Sequence, residues 1–353
     1  MSDRRLTSIL SFLILLPVLS GCMNREYRAY QKSLRDGRYD SEFPAHNASQ
    51  EIGSIAQSVK KIYSVSHYTT WQFDRASGVL THHLRSGIYA KMSVGTISTQ
   101  ETVFGTATVI MAGAGKIAVL TCGHVVTSPD TLVTWYDPSG EDQMPFIKSI
   151  SVKTKQENWV RDLGSCGSFT ILASDPDLDI AILGKTCGTP DPLPVVFPYP
   201  YGNAEELDWG SFVYIFGYPM GNPVVTKALV SKSVKGGPGD FTVDALLNKG
   251  FSGGIILAIR DGVPNFELVG MIKSVSSEEE YYLRPSSDDK KYYEIFPYRG
   301  DVFVGSLEQV HYGLNFTIPA GKILDFYRRN REELIRQGYD LDPFFGLSVK
   351  IKQ

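Results

Sequence analysis

A serine stands between glycines in the stretch 250–254, which reads Gly-Phe-Ser-Gly-Gly. Glycine on both sides allows a second chain or a ligand to approach Ser252 closely. The glycine at 250 also permits a tight turn, in which successive backbone N–H groups can point into one space and stabilise an oxyanion. The pattern therefore suits a nucleophilic serine, and a glycine-rich turn between two strands is the alternative.

A histidine and an aspartate upstream could activate this serine. His124 follows the apolar run 117–120, and imidazole is the side-chain group that most often acts as a general base near neutral pH. Asp179 directly precedes the apolar run 180–183, where a carboxylate is costly to bury without a partner. The imidazole N–H supplies that partner, and Asp175 and Asp177 are alternatives on the same predicted loop.

Six segments in order resemble the trypsin-like (chymotrypsin-fold) serine proteases of the bacterial HtrA/Deg type, without a PDZ domain. They are 104–110, 120–126, 177–183, 212–221, 243–254 and 313–319. The resemblance implies a serine endopeptidase, a hydrolase that forms an acyl-enzyme with His124, Asp179 and Ser252 as the catalytic triad. It further implies an oxyanion hole from the N–H groups of Gly250 and Ser252.

The resemblance also implies a specificity pocket. Leu246, six residues before the serine, corresponds to the floor, and Ile272 and Gly313 belong to the walls. A leucine there offers no charge to a basic side chain, so cleavage after small or medium apolar residues is expected.

Short strands and frequent turn residues favour an all-β fold. The resemblance sharpens this to two six-stranded antiparallel barrels, with a short N-terminal extension and a C-terminal helix. The expected organisation is a signal peptide at 1–21, a tether at 22–47, an extension at 48–87, a protease domain at 88–337 and a tail at 338–353. Within the domain, the barrels are expected at about 88–190 and 205–318, and the helix at 320–337. A further helix is predicted at 48–62.

The N-terminus has the pattern of a bacterial lipoprotein signal. Arg4 and Arg5 precede a short apolar run, 9–19, which ends in Leu-Ser-Gly-Cys at Cys22. We expect lipidation of Cys22 and a lipid anchor in the bacterial cell envelope, in the outer membrane and facing the periplasm. An ordinary signal peptide is the alternative.

With a net charge of −3, the chain lacks the excess of basic residues that is typical of nucleic-acid-binding proteins. Protein or peptide substrates and, through the lipid, the membrane are the expected partners. No metal or other cofactor is expected, because the pair at 82–83 has no further ligand at metal-site spacing. Cys122, Cys166 and Cys187 leave at least one free thiol, and Cys166 with Cys187 is one possible disulfide.

Two other functions compete with this interpretation. Phe251 stands where the family mostly has asparagine or aspartate, and the insertion 276–311 replaces a short loop. Both features suit a protease-fold binding protein of weak or no activity, whose insertion is a solvated loop, a gate or a partner contact. The GxSxG pattern also occurs in α/β-hydrolase esterases, in which a helix follows the serine.

Overall fold

The computed structural model describes residues 35–44, 47–136, 145–188, 192–234, 239–285 and 302–347. The predicted signal peptide, most of the predicted tether and Cys22 lie outside these ranges. No helix in the described residues has the length and apolarity needed to cross a membrane.

The first half is a seven-stranded antiparallel sheet in the order β4-β5-β1-β2-β3-β7-β6. Its strands are β1 Val59–Gln72, β2 Gly95–Gly113, β3 Lys116–Cys122, β4 Thr131–Trp135, β5 Ile147–Val160, β6 Thr170–Asp175 and β7 Ile180–Thr186. Strand β1 comes from the segment predicted as an extension, yet it pairs with both β2 and β5. The sheet therefore has one strand more than the six-stranded barrel expected here.

The second half is a closed six-stranded barrel in the order β10-β13-β12-β11-β8-β9. Its strands are β8 Phe212–Gly217, β9 Val224–Lys232, β10 Thr242–Val243, β11 Ile255–Ile259, β12 Phe266–Pro285 and β13 Val302–Pro319. The all-β class and this barrel confirm the predicted fold.

Six α-helices lie in the described residues. They are α1 Ser49–Ser58, α2 Thr81–Arg85, α3 Tyr89–Met92, α4 Gly123–Val126, α5 Ala320–Arg336 and α6 Asp342–Phe345. The predicted helix at 48–62 ends at Ser58, because Val59 begins β1 and its β-branched side chain suits a strand. The predicted C-terminal helix is confirmed.

Helix α5 belongs to the core of the first sheet, although it follows the second barrel in the chain. Its buried face joins the apolar residues of β3 and β7 in one cluster. The helix residues in that cluster are Ile323, Phe326, Tyr327 and Leu334. Further along, Phe345 of α6 stacks on Tyr327 with ring centroids 4.2 Å apart.

The cysteines and the insertion have defined places. Cys166 and Cys187 form a disulfide, and Cys122 is a buried free thiol. Most of the insertion predicted at 276–311 consists of paired strands, because β12 and β13 continue through it. Residues 286–301 lie outside the described residues.

Asp342 fastens α6 to α5. Its carboxylate accepts hydrogen bonds from the Tyr327 hydroxyl, at 2.7 Å, and from the Arg331 guanidinium. The guanidinium, assisted by the hydroxyl, lowers the pKa of Asp342 below its ordinary value. Its charged form is therefore favoured in the folded state.

We predict that Asp342→Asn lowers the midpoint of thermal unfolding at neutral pH by roughly 2–6 °C. A lowered folded pKa gives stability that is present above the unfolded pKa of about 4 and lost as pH falls through the folded pKa. The difference between wild type and variant should therefore shrink on acidification. Asp325→Asn is the control, because Asp325 forms an exposed pair with Arg328. Equal losses in both variants would contradict the role of Asp342.

Candidate active site

His124 lies in the first turn after strand β3. The strand is buried up to Cys122, and α4 then carries the imidazole to the surface, where its side chain is half exposed. A buried strand that ends at this point fixes the backbone below the ring while leaving the ring accessible. This is the position that a general base needs.

Asp179 holds the His124 segment by three contacts. Its Oδ2 lies 2.8 Å from His124 Nδ1, its Oδ1 accepts the His124 backbone N–H at 2.8 Å, and its carbonyl accepts the Gly123 N–H at 3.0 Å. The aspartate is buried and has a φ of 60° at the end of the turn between β6 and β7. Because a carboxylate only accepts, Nδ1 carries the proton and Nε2 is left as an acceptor.

Asp175, one of the two alternative aspartates, bonds to the backbone of its own turn and to helix α5. Its Oδ1 accepts the backbone N–H groups of Asp177 and Leu178, and its Oδ2 pairs with Arg329 of α5 at 3.0 Å. The Leu178 N–H, followed by Arg329, lowers the pKa of Asp175. Asp175 therefore shapes the turn that ends in Asp179, and Asp177 is exposed.

The serine loop is a tight turn from Asn248 to Phe251, closed by a 3.3 Å hydrogen bond between the ends. Gly250 stands third in the turn with a φ of 109°, and a Cβ there would lie 2.5 Å from the Tyr218 carbonyl oxygen. Gly253 has a φ of 86°, and its Cβ would lie 2.1 Å from the Thr106 carbonyl oxygen. Both positions thus require glycine.

The backbone N–H groups of Gly250 and Ser252 have no acceptor among the residues that the structure describes. The intervening Phe251 N–H closes the turn, and the Gly253 N–H bonds to Ile272. The two donors predicted for the oxyanion hole are therefore those that the loop leaves available.

Phe251 is an anchor of the serine loop. Its side chain is 3 % exposed and belongs to the core of the second barrel. It packs on Gly217, where an added Cβ would lie 2.5 Å from the ring. The ring thus points away from the surface on which Ser252 lies partly exposed.

Thr106 is a site residue to which sequence reasoning gave no role. Its N–H donates to the Ser252 carbonyl at 2.8 Å, and its hydroxyl donates to the Gly250 carbonyl at 2.7 Å. The same hydroxyl accepts the Tyr218 N–H at 2.9 Å, and its carbonyl accepts the Thr121 hydroxyl at 2.7 Å. The sequence signal that could have indicated this role is a threonine hydroxyl within the largely apolar segment 104–110.

Thr106 and Gly253 bring the serine loop against the histidine segment. A Cβ on Gly253 would lie 2.5 Å from the Thr121 hydroxyl and 3.2 Å from the Cys122 nitrogen. Within the described residues, no hydrogen bond joins the Ser252 hydroxyl to His124. Such bonds are often long before substrate binds and tighten in the complex.

Cys122, His124 and Asp179 place potential metal-ligating atoms within 4.8 Å of one another. However, the His124 and Asp179 atoms bond to each other, and the Cys122 thiol donates to the Ile272 carbonyl at 3.3 Å. Burial, followed by the nearby Asp179, raises the pKa of Cys122 well above its ordinary value. Since the thiolate is the metal ligand, the set suits a hydrogen-bonded pair better than a metal site.

The exposure of Leu246 contradicts its prediction as a pocket floor. Its side chain is 74 % exposed, whereas Ala245 and Leu247 are buried. The segment alternates like a strand, so position 246 faces outward. Of the predicted walls, Ile272 is buried and bonds to Gly253 and Gly254 of the serine loop, and Gly313 is half-buried in β13.

Residues 105–271 match the family model of the trypsin-like peptidase domain. The match covers a little under half of the chain and includes His124, Asp179 and Ser252. Together with the closed barrel, it supports a chymotrypsin-fold peptidase. No curated protein matches the chain. The α/β-hydrolase alternative is wrong, because antiparallel strand β11 follows Ser252 where that fold has a helix.

We predict that Thr106→Val disorders the serine loop. The change leaves the Gly250 carbonyl and the Tyr218 N–H without their partner, which costs about 1–3 kcal/mol for each group. Denaturant unfolding should show the loss, and fluorophosphonate labelling of Ser252 should slow at least tenfold, as expected for a displaced oxyanion donor.

Thr106→Ser keeps the hydroxyl and is the matched control. It should label at close to the wild-type rate. Equal labelling of the valine and serine variants would show that the hydroxyl does not position the loop.

Proposed function

We propose that this protein is a serine endopeptidase that hydrolyses peptide bonds through an acyl-enzyme. The observation that carries the proposal is the two-point contact of Asp179 with the side chain and backbone of His124. It fixes the imidazole in the tautomer whose Nε2 can accept a proton, beside a glycine-flanked serine. The match to a trypsin-like peptidase domain supports the same reaction.

In the proposed reaction, Ser252 Oγ attacks the substrate carbonyl while His124 Nε2 takes the hydroxyl proton. Asp179 stabilises the imidazolium that forms, and His124 then gives the proton to the leaving amine. Water repeats the sequence on the acyl-enzyme and frees Ser252. The N–H groups of Gly250 and Ser252 stabilise the oxyanion in both steps.

Cleavage after small or medium apolar residues remains our proposal for specificity. Its support is now Ile272, a buried apolar residue that lies beside the serine loop through two backbone hydrogen bonds. An apolar wall discriminates modestly among apolar side chains and excludes an unpaired ammonium group more strongly.

A protease-fold binding protein without turnover is the second candidate. It is favoured by one observation, namely that no hydrogen bond joins Ser252 and His124 in the described residues. Fluorophosphonate labelling separates the two functions, because only an activated serine reacts.

We expect the full chain to cleave unfolded casein, and Ser252→Ala and Asp179→Ala to reduce kcat by about 10⁴-fold or more. Asp177→Ala is the matched control on the same loop and should retain activity. The measurement is casein cleavage with cut-site mapping by mass spectrometry. Equal cleavage by Ser252→Ala and wild type would refute the assignment of the nucleophile.

We also propose that the chain is a lipid-anchored protein of the bacterial cell envelope, at the periplasmic face of the outer membrane. The support is the Leu-Ser-Gly-Cys sequence ending at Cys22. The resemblance to the HtrA/Deg type is compatible with that location.

Cys22→Ala should abolish lipid attachment, because the thiol is the group to which the lipid would be attached. Detergent phase partitioning of wild type and variant, expressed in a bacterium with its lipoprotein pathway, measures the change. Cys122→Ala in the same assay controls for thiol loss alone, because Cys122 is a free thiol in the described part of the chain. Membrane retention that is identical in wild type and Cys22→Ala would exclude lipidation.

A further inference from the structure

The distal parts of β12 and β13 form a two-stranded ribbon. The pairing runs from Ser276–His311 to Pro285–Val302, and we call these residues, 276–285 and 302–311, the distal ribbon. A two-stranded ribbon is at best marginally stable in water without a third strand or a covering element. The distal ribbon is therefore a segment that gains from a partner.

Strand β12 has β11 as its second neighbour only as far as Met271, which pairs with Ile255. At Ile272, the serine loop replaces β11 as the neighbour of β12. The Ile272 N–H donates to the Gly254 carbonyl, and the Ile272 carbonyl accepts the Gly253 N–H. Beyond that point, β12 pairs only with β13 in the described part of the chain. Within the described residues, this side of β12 therefore has no second strand neighbour from a point beside Ser252 to the end of the distal ribbon.

The distal ribbon exposes large apolar side chains on both of its strands. The exposed fraction is 48 % for Tyr282, 69 % for Leu283, 54 % for Val302, 66 % for Val304 and 57 % for Leu307. Leu283 pairs with Val304, so these two side chains lie on one face, while Tyr282 and Leu307 lie on the other. Soluble monomers rarely expose such contiguous patches unless they bind something.

We propose that the distal ribbon is a docking surface for extended, apolar segments of a polypeptide substrate. The inference rests on the proposed peptidase function. The docked segment adds a strand to the free edge of β12, so that main-chain hydrogen bonds give affinity with little sequence preference. Its apolar side chains cover Leu283 and Val304.

The edge of β12 is continuous from the serine loop to the distal ribbon. This continuity favours the substrate over a second copy of the chain as the occupant of the patch. An extended substrate that is cleaved at Ser252 already lies where the free edge of β12 begins. Strands rise about 3.3 Å per residue, so Leu283 is roughly 35 Å from Ile272 along the ribbon. A substrate must therefore extend about ten residues beyond the cleaved bond to reach the patch, and short peptides do not use it.

The test compares two substrates for the variant Leu283→Ser/Val304→Ser. For unfolded, carboxymethylated casein, we expect KM to rise roughly tenfold with kcat nearly unchanged, because two apolar contacts are lost. For a six-residue peptide cut from casein at a mapped site, kcat/KM should stay within about twofold, since the peptide is too short for the patch. Val225→Ser/Leu229→Ser, two exposed apolar residues of β9, is the matched control.

A binding measurement separates this inference from the proposed function. Fluorescence anisotropy of labelled casein with the Ser252→Ala background should show the same tenfold weakening whether or not the wild type turns over. Unchanged casein affinity in the ribbon variant would overturn the proposal. So would sedimentation velocity showing a wild-type dimer that the variant abolishes, with equal effects on both substrates, because the patch would then join two copies.

Discussion

The hydrogen bonds of Thr106 are the constraint on which the site depends. This single residue of the first sheet bonds to Ser252, Gly250 and Tyr218 of the second half. Its side chain is fully buried, and partners lost from a buried position are not replaced by water. The position of Ser252 relative to His124 is therefore set by backbone geometry in the first sheet, and only indirectly by the loop that carries the serine.

A second constraint acts on Asp179. Asp179 has an unfavourable positive φ for a residue with a side chain, and three hydrogen bonds to the His124 segment compensate for it. The turn before it is shaped by Asp175, which in turn pairs with Arg329 of α5. Residues from the far end of the chain thus contribute to the orientation of the imidazole. The apolar core that α5 shares with β3 and β7 supports the same arrangement from below.

The signals on which the sequence predictions rest are local, and the features that the sequence misses depend on distant pairing. His124, Asp179 and Ser252 stand beside apolar runs or glycines whose meaning can be read within ten residues. The place of β1 between β2 and β5 has no local signal, because strand partners are chosen by the whole sheet. The prediction for Leu246 has a similar limitation. The resemblance to the HtrA/Deg-type proteases places this residue at the floor of the pocket, but buried and exposed side chains alternate along this segment and Leu246 faces outward. The insertion has the polar composition of a solvated loop at 276–280, but residues 276–285 pair with residues 302–311 across the distal ribbon.

The packing of α5 also has a consequence for the order in which the molecule can be made. The residues of the core of the first sheet are spread in sequence from Ile62 to Phe345, so this core draws on segments from nearly the full length of the described chain. During synthesis from the N-terminus, β3 and β7 are translated long before Tyr327 and Phe345 exist to cover them. An incomplete chain therefore exposes the apolar surface of the first sheet until its last elements are present. Such late closure delays assembly of the complete site until the C-terminal helices can pack on the sheet.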